Sequence, residues 1–215
     1  TPNDATAEAT AANGATVDYG AATASDAVDG AIAAGSITYD IATNTVFAIT
    51  TTTVTVTAVD ATGNQSQDTF TVTVSDGTGP TVTTSANVTA EATSANGAAV
   101  DYDAASATDI VDGAFAAGDI TYSAASGSTF AIGETVVTVS ATDDANNTTQ
   151  ETFTVTVSDN TGPTITTPND ATAEATSPDG ATVDYGAATA SDVVDGAIAA
   201  GSITYDIATN TTFAI

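Results

Sequence analysis

The chain contains no lysine, arginine or histidine, and no cysteine, methionine, tryptophan or leucine; thirteen residue types fill all 215 positions. Each absence excludes a class of chemistry. There can be no disulfide, no thiolate metal site, no Cys or His nucleophile–base pair, no Schiff-base lysine and no arginine clamp. Serine and threonine abound, but no base stands ready to activate one, and no enzyme is expected. Nucleic acid is not a partner, because nothing here could neutralise phosphate. No apolar run approaches the roughly 20 residues that span a bilayer. No signal peptide is visible and Thr1 is not an initiator methionine, so the segment reads as the interior of a longer, processed protein.

What is present is acidic. Asp and Glu number 27, for a formal net charge of −27 and a pI near 4.1. Such charge often accompanies disorder, yet charged residues make up only 13% of the chain and apolar ones 42%. That balance allows a buried core.

Internal repetition is the largest signal. Thr1–Thr10 reads TPNDATAEAT and returns unchanged at Thr167–Thr176, while Thr84–Thr93 reads TSANVTAEAT. The offset is 83 residues each time, and Tyr19, Tyr102 and Tyr185 keep that register. Residues 1–49 and 167–215 differ at only five positions. The expected organisation is two sandwich units, 1–83 and 84–166, followed by the first part of a third, truncated unit at 167–215. Within a unit the apolar period is two, as in Val54–Ala58, Phe70–Val74, Val137–Ala141 and Phe153–Val157. Threonine fills the alternate places, where its branched Cβ suits a pleat and its hydroxyl meets water. Turn pairs such as Asn13-Gly14 and Asp29-Gly30 separate the runs. About seven short strands per unit predict an all-β chain of tandem immunoglobulin-like antiparallel β-sandwiches.

Phe130-Ala-Ile-Gly133, then Val137-x-Val139-x-Ala141-x-Asp143, Asn147 and Phe153-x-Val155-x-Val157-x-Asp159 resemble the hyalin repeat (HYR) family. Phe47, Val54, Ala58, Asp60, Gly63-Asn64, Phe70, Val74 and Asp76 fit the same pattern, followed by Thr78-Gly79-Pro80. The cysteines common in animal members are absent, Thr50 replaces a usual glycine, and Asn146 sits where Gly63 does. The resemblance implies extracellular, adhesion-related or structural modules and no enzymatic activity.

Sandwich topology sorts the acids by pole. The loop carrying Asp26 and Asp29 (Asp109 and Asp112, Asp192 and Asp195) shares the leading end of its unit with the loop carrying Asp60 and Asn64 (Asp143 and Asn147). The preceding unit leaves through Asp76 or Asp159. Asp76 should therefore meet Asp109, Asp112, Asp143 and Asn147, and Asp159 should meet Asp192 and Asp195. Carboxylates so placed repel unless neutralised or protonated. Calcium is the expected ion, since it takes six to eight oxygens and needs neither His nor Cys. The competing reading makes these acids solvated loop residues in Asx turns. Glu8, Glu91 and Glu174 read as exposed charges guarding an edge strand, with reach to a junction cation as the alternative. The tyrosines read as core packing, with a sugar-binding face as the alternative.

These features predict a structural segment of an extracellular surface filament or adhesin stalk, stiffened by divalent cations at unit junctions. Its partners would be copies of itself or neighbouring repeats joined head to tail. One alternative is a carbohydrate- or receptor-binding adhesion module with a glycan or cell-surface partner. Another is a filament subunit whose incomplete third unit is closed by strand addition from a neighbour.

Overall fold

The computed structural model describes all residues from Thr1 to Ile215. Strands build it, with single 3₁₀ turns at Ala34–Ser36, Ala117–Asp119 and Ala200–Ser202 and no α-helix. No helix is long and apolar enough to cross a membrane.

The alternating Val-Thr runs make the longest strands. Thr51–Val59 and Gln65–Ser75 form an antiparallel hairpin with Val54 opposite Phe70. Val54, Val56, Phe70, Val72 and Val74 all turn inward and are buried, whereas the threonines between them keep partial or full access to water. Each such side chain contributes about 1.5–3 kcal/mol on burial. A one-residue slip would expose the whole set, so the period of two also sets the register.

The first sheet runs Ala5–Glu8, Gln65–Ser75, Thr51–Val59, Ile37–Tyr39. Val88–Glu91, Thr148–Ser158, Gly133–Thr142 and Ile120–Tyr122 repeat that order. One pairing in each departs from the antiparallel expectation. Ala5 lies opposite Val72, and Val88 opposite Val155, in parallel register. Both members of the pair run from the leading to the trailing end of the sandwich, so adjacency makes them parallel.

Across the first core, Ala15–Val17 pairs with Thr45–Phe47. Tyr19 lies among these residues, its ring 4.8 Å from Phe70 and 5.4 Å from Tyr39. Its hydroxyl donates to the Ile41 carbonyl, and the Tyr39 hydroxyl accepts the Ala22 N–H. Tyr102 likewise sits 4.8 Å from Phe153 and donates to the Ala124 carbonyl. Tyr19 is therefore core, as its polar tip finds a partner inside.

The chain divides into two compact units, residues 1–84, 104–123 and 138–151, and residues 85–103, 124–137 and 152–215. These divisions do not coincide with the sequence period, because the first unit takes in the acidic loops Asp109–Gly113 and Asp143–Asn147. In the second unit, Ala181–Val183 pairs with Thr211–Phe213, and Thr164–Thr166 pairs with Thr189–Asp192. Residues 171–174 repeat the Ala-Thr-Ala-Glu of Ala5–Glu8 yet form no strand. A cleft of about 670 Å³ opens beside them, lined by Ala173, Val183, Tyr185 and Phe213.

Gly14, Gly97 and Gly180 share the tightest backbone approach, and Gly97 illustrates it. Its φ is +104°, and an added Cβ would stand 1.8 Å from the Phe130 carbonyl oxygen. Gly97→Ala is expected to lower the unfolding free energy by at least about 2 kcal/mol in urea titrations. Gly118→Ala, where a Cβ meets nothing within 4 Å, should change it by less than about 0.5 kcal/mol.

Candidate metal centre

Three Asp-x-Val-Asp-Gly turns share one construction. Asp26 Oδ1 accepts the Val28 and Asp29 N–H groups at 2.7 and 3.1 Å. Asp109 accepts those of Val111 and Asp112 at 2.7 and 3.2 Å, and Asp192 those of Val194 and Asp195 at 2.7 and 3.1 Å. The side chain thus replaces a missing backbone acceptor. A second loop follows the same logic. Asp60 accepts the Asn64 N–H at 2.8 Å and its Nδ2 at 2.7 Å; Asp143 accepts those of Asn147 at 2.7 and 2.8 Å. The loops hold each other, since Ala61 N donates to Asp29 and Asp144 N to Asp112, each at 3.2 Å.

The connection between the first two repeats is held along its length. Gly77 N and Thr78 Oγ1 donate to Glu8 Oε1 at 2.7 and 2.9 Å. A Cβ on Gly79 would stand 2.9 Å from Thr149 Oγ1, so the backbone lies close against that strand. Pro80 is fully buried, and Thr81–Thr83 pairs antiparallel with Ser106–Asp109. Glu91 grips the next connection in the same way, accepting Asn160 N and Thr161 Oγ1, each at 2.8 Å. Glu8 and Glu91 are exposed on edge strands as expected, but that reading missed this clasping role. The recurring Glu and a Thr 70 residues later were the available signal.

Within the first compact unit, one carboxylate oxygen from each of Asp76, Asp112 and Asp143 lies within 4.8 Å of the others. Within the second, Asp159, Asp192 and Asp195 do the same. Asp109 is outside the first trio and serves its own turn, while Asp192 serves both its turn and the second trio. Asn147 meets the first trio through its amide nitrogen, which donates to Asp143 and to the Asp76 carbonyl. Asp26, Asp29, Asp60 and Asn64 form the same loops but no trio.

Asp143 is only 6% exposed, a buried carboxylate whose donors all come from a neutral asparagine. Burying such a charge costs several kcal/mol unless it is compensated. Partial removal from water raises the Asp76 pKa, with added repulsion from Asp109, Asp143 and Asp112, against the Thr78 N–H, which lowers it. Asp60 shows the opposite balance: the Asn64 side chain, its N–H and Thr62 hold its carboxyl down at about 2. An all-oxygen set with excess negative charge fits a hard divalent cation such as calcium. Asp76, Asp112 and Asp143 would hold one ion, and Asp159, Asp192 and Asp195 another.

Residues 75–157 match the HYR domain family, a frame that contains the whole first trio. No curated protein matches. Among solved structures, the chain is similar to the extracellular domain of protocadherin gammaB4, at 14% identity and a TM-score of 0.31 over 91% of this chain and 37% of that one. It is also similar to the protocadherin gammaB7 EC3-6 cis-dimer, at 13% identity and a TM-score of 0.30 over 92% and 55%. The chain thus spans between about a third and just over half of the length of these structures.

The titrations of Asp60 and Asp76 should diverge. By carboxyl NMR, Asp60 should titrate near 2, and Asn64→Ala should move it up toward the ordinary value of about 3.9. A lowered carboxylate stabilises above the ordinary range and loses that contribution as pH falls toward its folded pKa. Asp76 is raised, so without divalent cations its contribution favours the acid side and is lost as pH rises through its folded pKa. Asp76→Asn should therefore raise the thermal midpoint at pH 7 in EDTA, with a smaller gain at pH 4.

Proposed function

With residues 75–157 a HYR domain, an extracellular adhesion-type module, we propose that this chain is a structural repeat segment of a surface filament or adhesin stalk. Each 83-residue period is one sandwich, at 1–83 and 84–166, and 167–215 begins a third. Calcium at the junctions neutralises the carboxylate trios and stiffens the connections between sandwiches. The observation that carries this reading is the recurrence of a three-carboxylate group where one repeat passes to the next, in a chain with no basic side chain. Near-copies at 1–49 and 167–215 suit repeated mechanical duty better than a single recognition site. Tyr19 is buried in the core, so its ring is not presented to a sugar.

Extracellular modules bind calcium at about 10⁻⁴–10⁻³ M. At ten times its dissociation constant, each bound ion adds about 1.4 kcal/mol to stability. Replacing calcium with EDTA should lower the thermal midpoint and shorten the maximum dimension in solution scattering. If both stay unchanged, junction calcium is wrong. Asp112→Ala combined with Asp143→Ala should abolish the calcium response of the first junction while near-native strand content by circular dichroism is retained.

A further inference from the structure

The valine of each Asp-x-Val-Asp-Gly turn has the same backbone support but different surroundings. Its N–H donates to the turn aspartate at 2.7 Å in all three cases. Val111 nevertheless packs against the core cluster of the first sandwich, whose members include Val74, Phe70 and Tyr19. Val111 and Val194 are both half-buried, whereas Val28 is 92% exposed. Local conformation does not explain the contrast. The turn of Val111 follows a sandwich whose last strand ends at Ser75, and that sandwich supplies its apolar seat. Ile110, one position earlier in the same turn, is 60% exposed, so a single position in the turn finds the seat.

We propose that this valine is a docking knob, and that the leading end around Val28 is an interaction surface for the trailing end of another sandwich of this repeat type. The partner presents the trailing end of such a sandwich core, the apolar chemistry that Val111 meets in the cluster holding Phe70 and Val74. A valine held on a rigid turn loses little side-chain freedom on docking. Asp26 and Asp29 share the turn of Val28, and Asp29 accepts the N–H of Ala61 beside Asp60, so the partner's own aspartate would complete a carboxylate group there. That last point rests on the calcium reading; the apolar contact does not.

The absence of cysteine makes a single introduced thiol a unique reporter. In the full chain, maleimide should label Val111→Cys about tenfold more slowly than Val28→Cys, with Ile110→Cys close to the fast rate. Placing a copy of residues 84–166 ahead of Thr1 should slow Val28→Cys to the Val111→Cys rate. Equal rates at positions 28 and 111, or no slowing on extension, overturn the proposal. Amide exchange of the unsubstituted chain checks it without mutation: the Val28 N–H should exchange about tenfold faster than that of Val111, and equal rates count against the knob. Run in calcium and in EDTA, the labelling separates the two readings. Slow labelling at Val111→Cys with an EDTA-insensitive thermal midpoint removes calcium and keeps the knob. Fast labelling with an EDTA-sensitive midpoint removes the knob and keeps calcium.

Discussion

A carboxylate in this chain has no lysine, arginine or histidine to answer it, so its charge is met by neutral donors: backbone N–H groups, threonine hydroxyls and asparagine amides. The acids consequently stand where the backbone needs acceptors. Asp4 takes the Thr71 N–H at 2.7 Å and ties the start of the first strand to the last. Asp40 takes the Thr55 N–H at 2.8 Å across neighbouring strands. Asp18 takes Gly20 N and Thr43 Oγ1, closing a loop. Hydrogen bonds to ionised groups are stronger than neutral ones, and they lower the pKa values of Asp4, Asp18 and Glu8. Charge that would otherwise expand the chain thereby pins its loops.

That arrangement reaches its limit where carboxylates outnumber donors. At the first junction, Asp143 and Asn147 satisfy each other, Asp109 serves its own turn, and Asp76 and Asp112 add negative charge with little to oppose it. The connection through this region is gripped by Glu8 on one side and paired through Thr81–Thr83 on the other. A short peptide held at both ends cannot relieve repulsion by swinging away. The proposed divalent cation would offset this repulsion between Asp76, Asp112 and Asp143. The apolar contact of Val111 acts on the same boundary through a different force, one that salt does not screen.

Much of the architecture was legible because β-structure writes its period into the chain. Val-Thr alternation located both long hairpins, and loop membership grouped the acids that the trios contain. The reading failed where a role depends on a neighbour distant in sequence. Glu8 has no local feature separating an edge charge from a clasp; its function appears only when Gly77 and Thr78 arrive beside it. Likewise, nothing within Asp109–Gly113 distinguishes Val111 from Val28. The parallel pairing of Ala5–Glu8 with Gln65–Ser75 follows from spatial adjacency, to which a periodicity of two is indifferent.

The decapeptide TPNDATAEAT isolates that division. At Thr1–Thr10 it contains a four-residue strand with Ala9 buried; at Thr167–Thr176 the same ten residues form no strand and, apart from a half-buried Pro168, lie exposed. Its composition specifies an extended, alternating segment in both places, and that much belongs to the residues alone. Whether it becomes a strand depends on a partner edge. Gln65–Ser75 pairs with the first copy in parallel register, whereas the second copy pairs with no strand. A lone strand loses conformational entropy without gaining a ladder. Local chemistry therefore set strand tendency, turn positions and the distribution of charge; long-range pairing set which tendencies were realised and which acids and valines came to face one another.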